Sequence, residues 1–170
     1  MKEAGLMKKI YYPRMVAPIV PALSQFYGLF IGFIPLIFMM VFYQIYPNWR
    51  VTLLPLVLLQ YLLFILSIGM IFSCLILFKA DFEKFLMLCL YLGLFISPVI
   101  FAPEMIPKSA QFLYFANPMA GTLLAFRSCL FYNFPFPVWE FIYAFAISFV
   151  LLFAAIKLYG KTESYFADKL

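Results

Sequence analysis

The chain has 170 residues, 67% of them apolar and 11% charged, with a net charge of +5. Soluble domains carry roughly 45–50% apolar and about 25% charged residues, so this composition excludes a soluble globular domain, and its hydrophobicity excludes disorder. What remains is an all-α, polytopic integral membrane protein whose basic residues report orientation, not nucleic-acid binding. Histidine is absent, and the three cysteines, Cys74, Cys89 and Cys129, are far apart in apolar surroundings. A disulfide framework, a zinc site and histidine-based catalysis are therefore not expected, and no metal is assigned to the chain.

The gaps between charges locate the membrane segments, because a spanning helix needs about 20 mostly apolar residues. Residues 15–49 are uncharged and hold one span over about 17–45. Pro18, Pro21 and Pro35 predict a helix that starts late and bends near Pro35. The turn Tyr46-Pro47-Asn48-Trp49-Arg50 combines proline, asparagine and interfacial aromatics. A second span covers about 51–78, followed by a short charged loop, Lys79-Ala80-Asp81-Phe82-Glu83-Lys84. A third covers 85–101, with Pro98 near its end. Residues 102–137 are interrupted by Pro103, Pro107, Pro118, Pro135 and Pro137. Non-helical backbone survives at membrane depth only when protein or water covers it. The segment 104–131 is therefore expected as a re-entrant hairpin of two short helices, about 108–116 and 119–131, with a full span at 109–131 as the alternative. The last span covers about 138–158 and leads into a polar tail, 159–170.

Four spans place both termini on one side. With that side cytoplasmic, it holds Lys2, Lys8, Lys9, Arg14, Lys79, Lys84, Lys157, Lys161 and Lys169, while the other holds Arg50, Lys108 and Arg127. This is the positive-inside pattern. No acid lies within 15–49, 51–78 or 85–103, and polar groups at depth are costly. No polar group, and so neither a catalytic group nor a proton carrier, is expected in the middle of a span. No Gly-rich phosphate loop, HExxH or GxSxG occurs.

The order of features over 79–127 carries a resemblance. The charged loop Lys79–Lys84 leads into a span ending Ser97-Pro98-Val99-Ile100. Pro103, Ile106-Pro107, Asn117-Pro118-Met119-Ala120-Gly121 and Arg127 follow. This order resembles the permease subunit of ABC-2 type exporters of bacterial polysaccharides such as O-antigen, capsule or teichoic acid. The opening Lys8-Lys9-Ile10-Tyr11-Tyr12-Pro13-Arg14 is similar to the family segment entering its third membrane helix, and Tyr165–Leu170 to its cytoplasmic tail. The family's six membrane helices and preceding interfacial helix imply that this chain corresponds to the last four.

The resemblance implies a transport subunit that binds no cofactor itself. ATP and Mg would sit on a separate ATP-binding partner, a second permease chain would complete a homodimer, and the cargo would be a polyprenyl-linked polysaccharide crossing the bacterial inner membrane. Tyr12, Pro13, Arg14, Lys79, Asp81, Glu83 and Lys84 would contact the ATP-binding subunit. The hairpin 104–131 would be the outer gate. Ser97, Pro98, Pro107, Asn117, Pro118 and Arg127, with the aromatics Tyr91, Phe95, Phe101, Phe112, Tyr114 and Phe115, would lie along the gate or sugar path. Plainer readings stand beside these: membrane-boundary charges, snorkelling by Arg127, and lipid-facing aromatics. Two other functions compete with export. One is a non-transporting scaffold or fragment. The other is a membrane enzyme on lipid-linked sugars, for which only Asp81, Glu83, Glu104 and Glu140 offer acids.

Overall fold

A computed structural model describes residues 16–79, 81–97, 105, 115–131 and 134–169. In an apolar medium every backbone polar group must be satisfied internally, and the uncharged runs accordingly form helices. These are α1 (Val16–Phe42), a 3-10 helix (Trp49–Leu53), α2 (Leu54–Phe78), α3 (Asp81–Ile96), α4 (Pro118–Leu130) and α5 (Val138–Lys169). No strand occurs among the described residues, so the chain is an all-α polytopic membrane protein as the composition requires. Three helical stretches, Ile19–Phe42, Trp49–Ile76 and Val138–Lys161, are long and apolar enough to cross a bilayer.

The core lies between α2 and α5. On α2 the buried residues are Val57, Gln60, Ser67, Met70 and Cys74, and on α5 they are Phe141, Ala144, Ser148, Ala155 and Tyr159. Both sets step by three, four or seven residues, the spacing of one helix face. Val57 clusters with Phe141, and Met70 and Cys74 with Ala155 and Tyr159, so the two helices run parallel. α4 packs against both near their N-terminal ends. Ala125 and Cys129 join the Val57–Phe141 cluster, while Thr122 reaches Gln60 further along α2. α4 is therefore antiparallel to α2 and α5. The Arg50 guanidinium closes this end of the bundle by donating to the Phe134 carbonyl at 2.7 Å.

Four details differ from the sequence-based expectations. α1 is already helical at Val16, with Pro21 and Pro35 inside it. The segment Lys79–Lys84 is not a loop throughout: Lys79 is extended, and α3 begins at Asp81. Asp81 and Glu83 form its first turn, where carboxylates offset the helix dipole. The exposed Lys84–Asp81 pair, at 4.0 Å, adds little. The polar tail continues α5 as helix to Lys169, because its Lys, Glu and Ala residues are good helix formers. Finally, α3 has 16 residues, about 24 Å at 1.5 Å per residue; the expected span 85–101 runs on into 98–101, outside the described residues.

α1 ends on a left-handed residue. The Ile45 amide donates to the Met40 carbonyl at 2.9 Å and the Gln44 amide to the Val41 carbonyl at 3.1 Å. Gln44 sits between them at φ 54°. This is the paired helix-end motif that glycine usually serves, and a side chain there costs about 1–2 kcal/mol. Gln44→Gly is expected to raise the midpoint of detergent-induced unfolding by an amount equivalent to about 1 kcal/mol, whereas Gln44→Ala leaves it unchanged.

Candidate functional site: a short buried helix and its polar ties

The site is α4 and what holds it. Its 13 residues extend about 20 Å, too short for the roughly 30 Å hydrocarbon layer. The start is written locally in the sequence. Asn117 is extended (φ −79°, ψ 114°), and its side-chain oxygen accepts from the Met119 amide at 3.0 Å. Pro118 follows, where a missing N–H costs nothing. The helix is thus interrupted at Asn117. The Asn117 amide nitrogen also donates to the Ser97 hydroxyl at 3.2 Å, joining the cap to the end of α3. From α5, the Tyr143 hydroxyl donates to the Ala116 carbonyl at 3.2 Å.

Small residues let α4 sit inside the bundle. Ala120, Gly121, Thr122, Ala125, Ser128, Cys129 and Leu130 are all buried, the composition of a close helix–helix contact in membranes. Gly121 is the tightest point: a Cβ there would collide with the Glu140 backbone carbonyl, its carbon 2.8 Å away. At the outer surface of this cluster, Phe126 stacks on Phe33 of α1 with ring centres 5.8 Å apart.

A polar group lies at depth after all. Gln60 is fully buried. Its amide nitrogen donates to the Ser148 hydroxyl of α5 at 3.1 Å, and its oxygen accepts from the Thr122 hydroxyl of α4 at 2.7 Å. Ser148 passes its own proton to the Ala144 carbonyl at 2.7 Å. One helical stretch along α2, the Ser67 hydroxyl lies 2.6 Å from the Leu63 carbonyl and 3.2 Å from the Ser148 carbonyl. The expectation of apolar span interiors is corrected here. Uncharged amides and hydroxyls leave no mark in the spacing of charges. The available signal was Gln60 itself, the only amide in the run 51–78, with Ser67 seven residues on along the same face.

Of the expected site residues, Ser97, Asn117 and Pro118 come together at the α3–α4 junction, with Ser97 buried. Arg127 lies half-buried in the last turn of α4. Lys79, Asp81, Glu83 and Lys84 are exposed at the opposite end of the bundle, where α2 passes into α3. Tyr91 is exposed on α3, and Phe115 is half-buried just before the cap. Tyr12, Pro13, Arg14, Pro98, Phe101, Pro107, Phe112 and Tyr114 lie outside the described residues.

The Asn117 cap has a separable effect. Asn117→Ala is expected to lower stability by about 1 kcal/mol, while Asn117→Ser, which keeps a capping oxygen but not the reach to Ser97, recovers most of it. The unfolding midpoint in a graded detergent titration reads both.

No family model matches the chain. Two O-antigen export system permease proteins RfbA from Klebsiella pneumoniae are each 29% identical to it, over 99% of this chain and 65% of their own length. An O-antigen export system permease protein RfbA from Myxococcus xanthus is 28% identical over 97% of this chain and 64% of its own length. The chain thus spans a little under two thirds of these relatives. Along nearly its whole length, then, this chain is similar to proteins named as permeases of O-antigen export systems.

Proposed function

We propose that the chain is a membrane-spanning permease subunit of a polysaccharide exporter. Such a permease is driven by a separate ATP-binding subunit and moves a lipid-linked glycan outward across the bacterial inner membrane. The observation that carries this reading is the similarity to O-antigen export permeases over 99% of the chain. ATP and Mg belong to the partner, and two permease chains enclose the path. The positive-inside count puts both ends of the chain and the Asp81–Lys84 turn on the cytoplasmic side, facing the ATP-binding subunit. Arg50, Asn48 and the C-terminal end of α4 then face outward. On this topology α4 starts within the membrane and ends at the outer surface, which is the position of an outer gate element.

The test is co-purification from detergent-solubilised bacterial membranes with a tag after Leu170. An ATP-binding subunit is expected among the co-purifying proteins, and to be lost when Lys79, Asp81, Glu83 and Lys84 are neutralised together. Recovery of a well-folded chain with no such subunit overturns the reading.

A further inference from the structure

We propose that Gln60 is a positioning residue that fixes α4 to α2 and α5, so that α4 is the stationary wall of the outer gate and not its moving part. The gate assignment rests on the function proposed above; the positioning role does not.

The hydrogen-bond directions leave one arrangement. Ser148 spends its proton on the Ala144 carbonyl, so toward Gln60 its oxygen has only lone pairs to offer and requires an N–H donor. That turns the amide nitrogen of Gln60 toward α5 and its oxygen toward α4, where the Thr122 hydroxyl is the donor. One fully buried side chain thereby joins three helices, and both its polar atoms are used. Sliding α4 along α2 would leave the Gln60 oxygen unpaired in an apolar setting, whereas Thr122 retains the Pro118 carbonyl of its own helix at 3.0 Å.

Three further contacts fix α4 in the same place. The Gly121–Glu140 backbone contact leaves no room for a Cβ. Ala125 and Cys129 are sealed with Val57 and Phe141. The Tyr143 hydroxyl holds the Ala116 carbonyl just ahead of the cap. Motion between α4 and the α2–α5 pair would break all of these together. α1, by contrast, meets this body through apolar contact such as Phe33 on Phe126, which can slide without stranding a polar atom.

Two measurements on the full chain in nanodiscs, with any partner it retains, decide the matter. The first is hydrogen exchange in Gln60→Leu. Exchange is expected to rise roughly five- to ten-fold at amides 119–125 and to stay constant in α2 and α5 away from the substitution. Adding Thr122→Val should produce no further rise, because both changes remove one tie. A uniform rise across all helices, or none at α4, overturns the positioning role.

The second replaces Cys74, Cys89 and Cys129 by Ala and introduces Val57→Cys with Ala125→Cys. Oxidation with copper phenanthroline, which takes the two electrons and leaves a disulfide between the two introduced thiols in place of Val57 and Ala125, should link this buried pair and leave glycan export intact. Export that stops on linking and returns when the disulfide is reduced overturns the stationary wall, and failure to link overturns the packing beneath it. A strain in which the unlinked pair and its parent export nothing counts against the permease reading, while the exchange result still decides what Gln60 does.

Discussion

Replacing Gly121 by alanine is expected to cost about 1–3 kcal/mol, the range for forcing one extra carbon into a closed contact. The obstacle is the Glu140 main chain, not the flexible end of a side chain, so α4 and α5 must separate along their whole contact to admit a methyl group. Gly121→Leu is expected to prevent α4 from docking. The comparison that isolates the cause is Gly69→Ala. Gly69 is also helical, but nothing lies within 4 Å of the site of its added carbon. That change should be neutral or stabilising by about 0.5–1 kcal/mol through helix propensity. Unfolding midpoints in graded detergent therefore diverge, falling for Gly121→Ala and holding or rising for Gly69→Ala. Equal shifts would remove the close approach of α4 to α5 as a source of stability.

Truncating Gln60 to alanine is expected to lower stability by about 2–3 kcal/mol. Two interhelical hydrogen bonds contribute on the order of 0.6 kcal/mol each in a membrane interior. The larger share comes from the cavity left by a fully buried side chain of this size. Gln60→Met divides the terms, since it keeps most of the volume and loses both bonds; its cost should stay near 1 kcal/mol. If methionine proves as damaging as alanine, the hydrogen bonds outweigh packing at this point.

The sequence carried the local parts of this architecture. Long uncharged runs gave α1, α2 and α5, and Asn117-Pro118 gave the start of α4, because a capping side chain followed by proline is decided within three residues. The helical start at Asp81 was also available in principle, since paired acids favour a first turn, but a run of charges between two spans reads equally well as a loop. The polar ties were hidden for a different reason. Gln60 and Ser148 are 88 positions apart, and Gln60 and Thr122 are 62 apart, so no window of sequence contains both partners. Nor does the sequence state why position 121 must be glycine. That requirement is set by a backbone carbonyl of another helix, not by its neighbours in the chain.

The placement of α4 has a consequence for how the protein is made. A 13-residue segment with threonine, serine and arginine is a poor candidate for insertion by itself, and one of its tightest supports, residues 138–148 of α5, is synthesised after it. α4 therefore cannot reach its seat while it emerges from the ribosome. It must wait, outside the hydrocarbon or loosely held, until α5 has paired with α2 across an interval of more than eighty residues. Biogenesis is thus ordered by this one short helix. Released chains that end just before Val138 should leave α4 open to water-soluble labelling reagents, whereas in the full chain it should be closed.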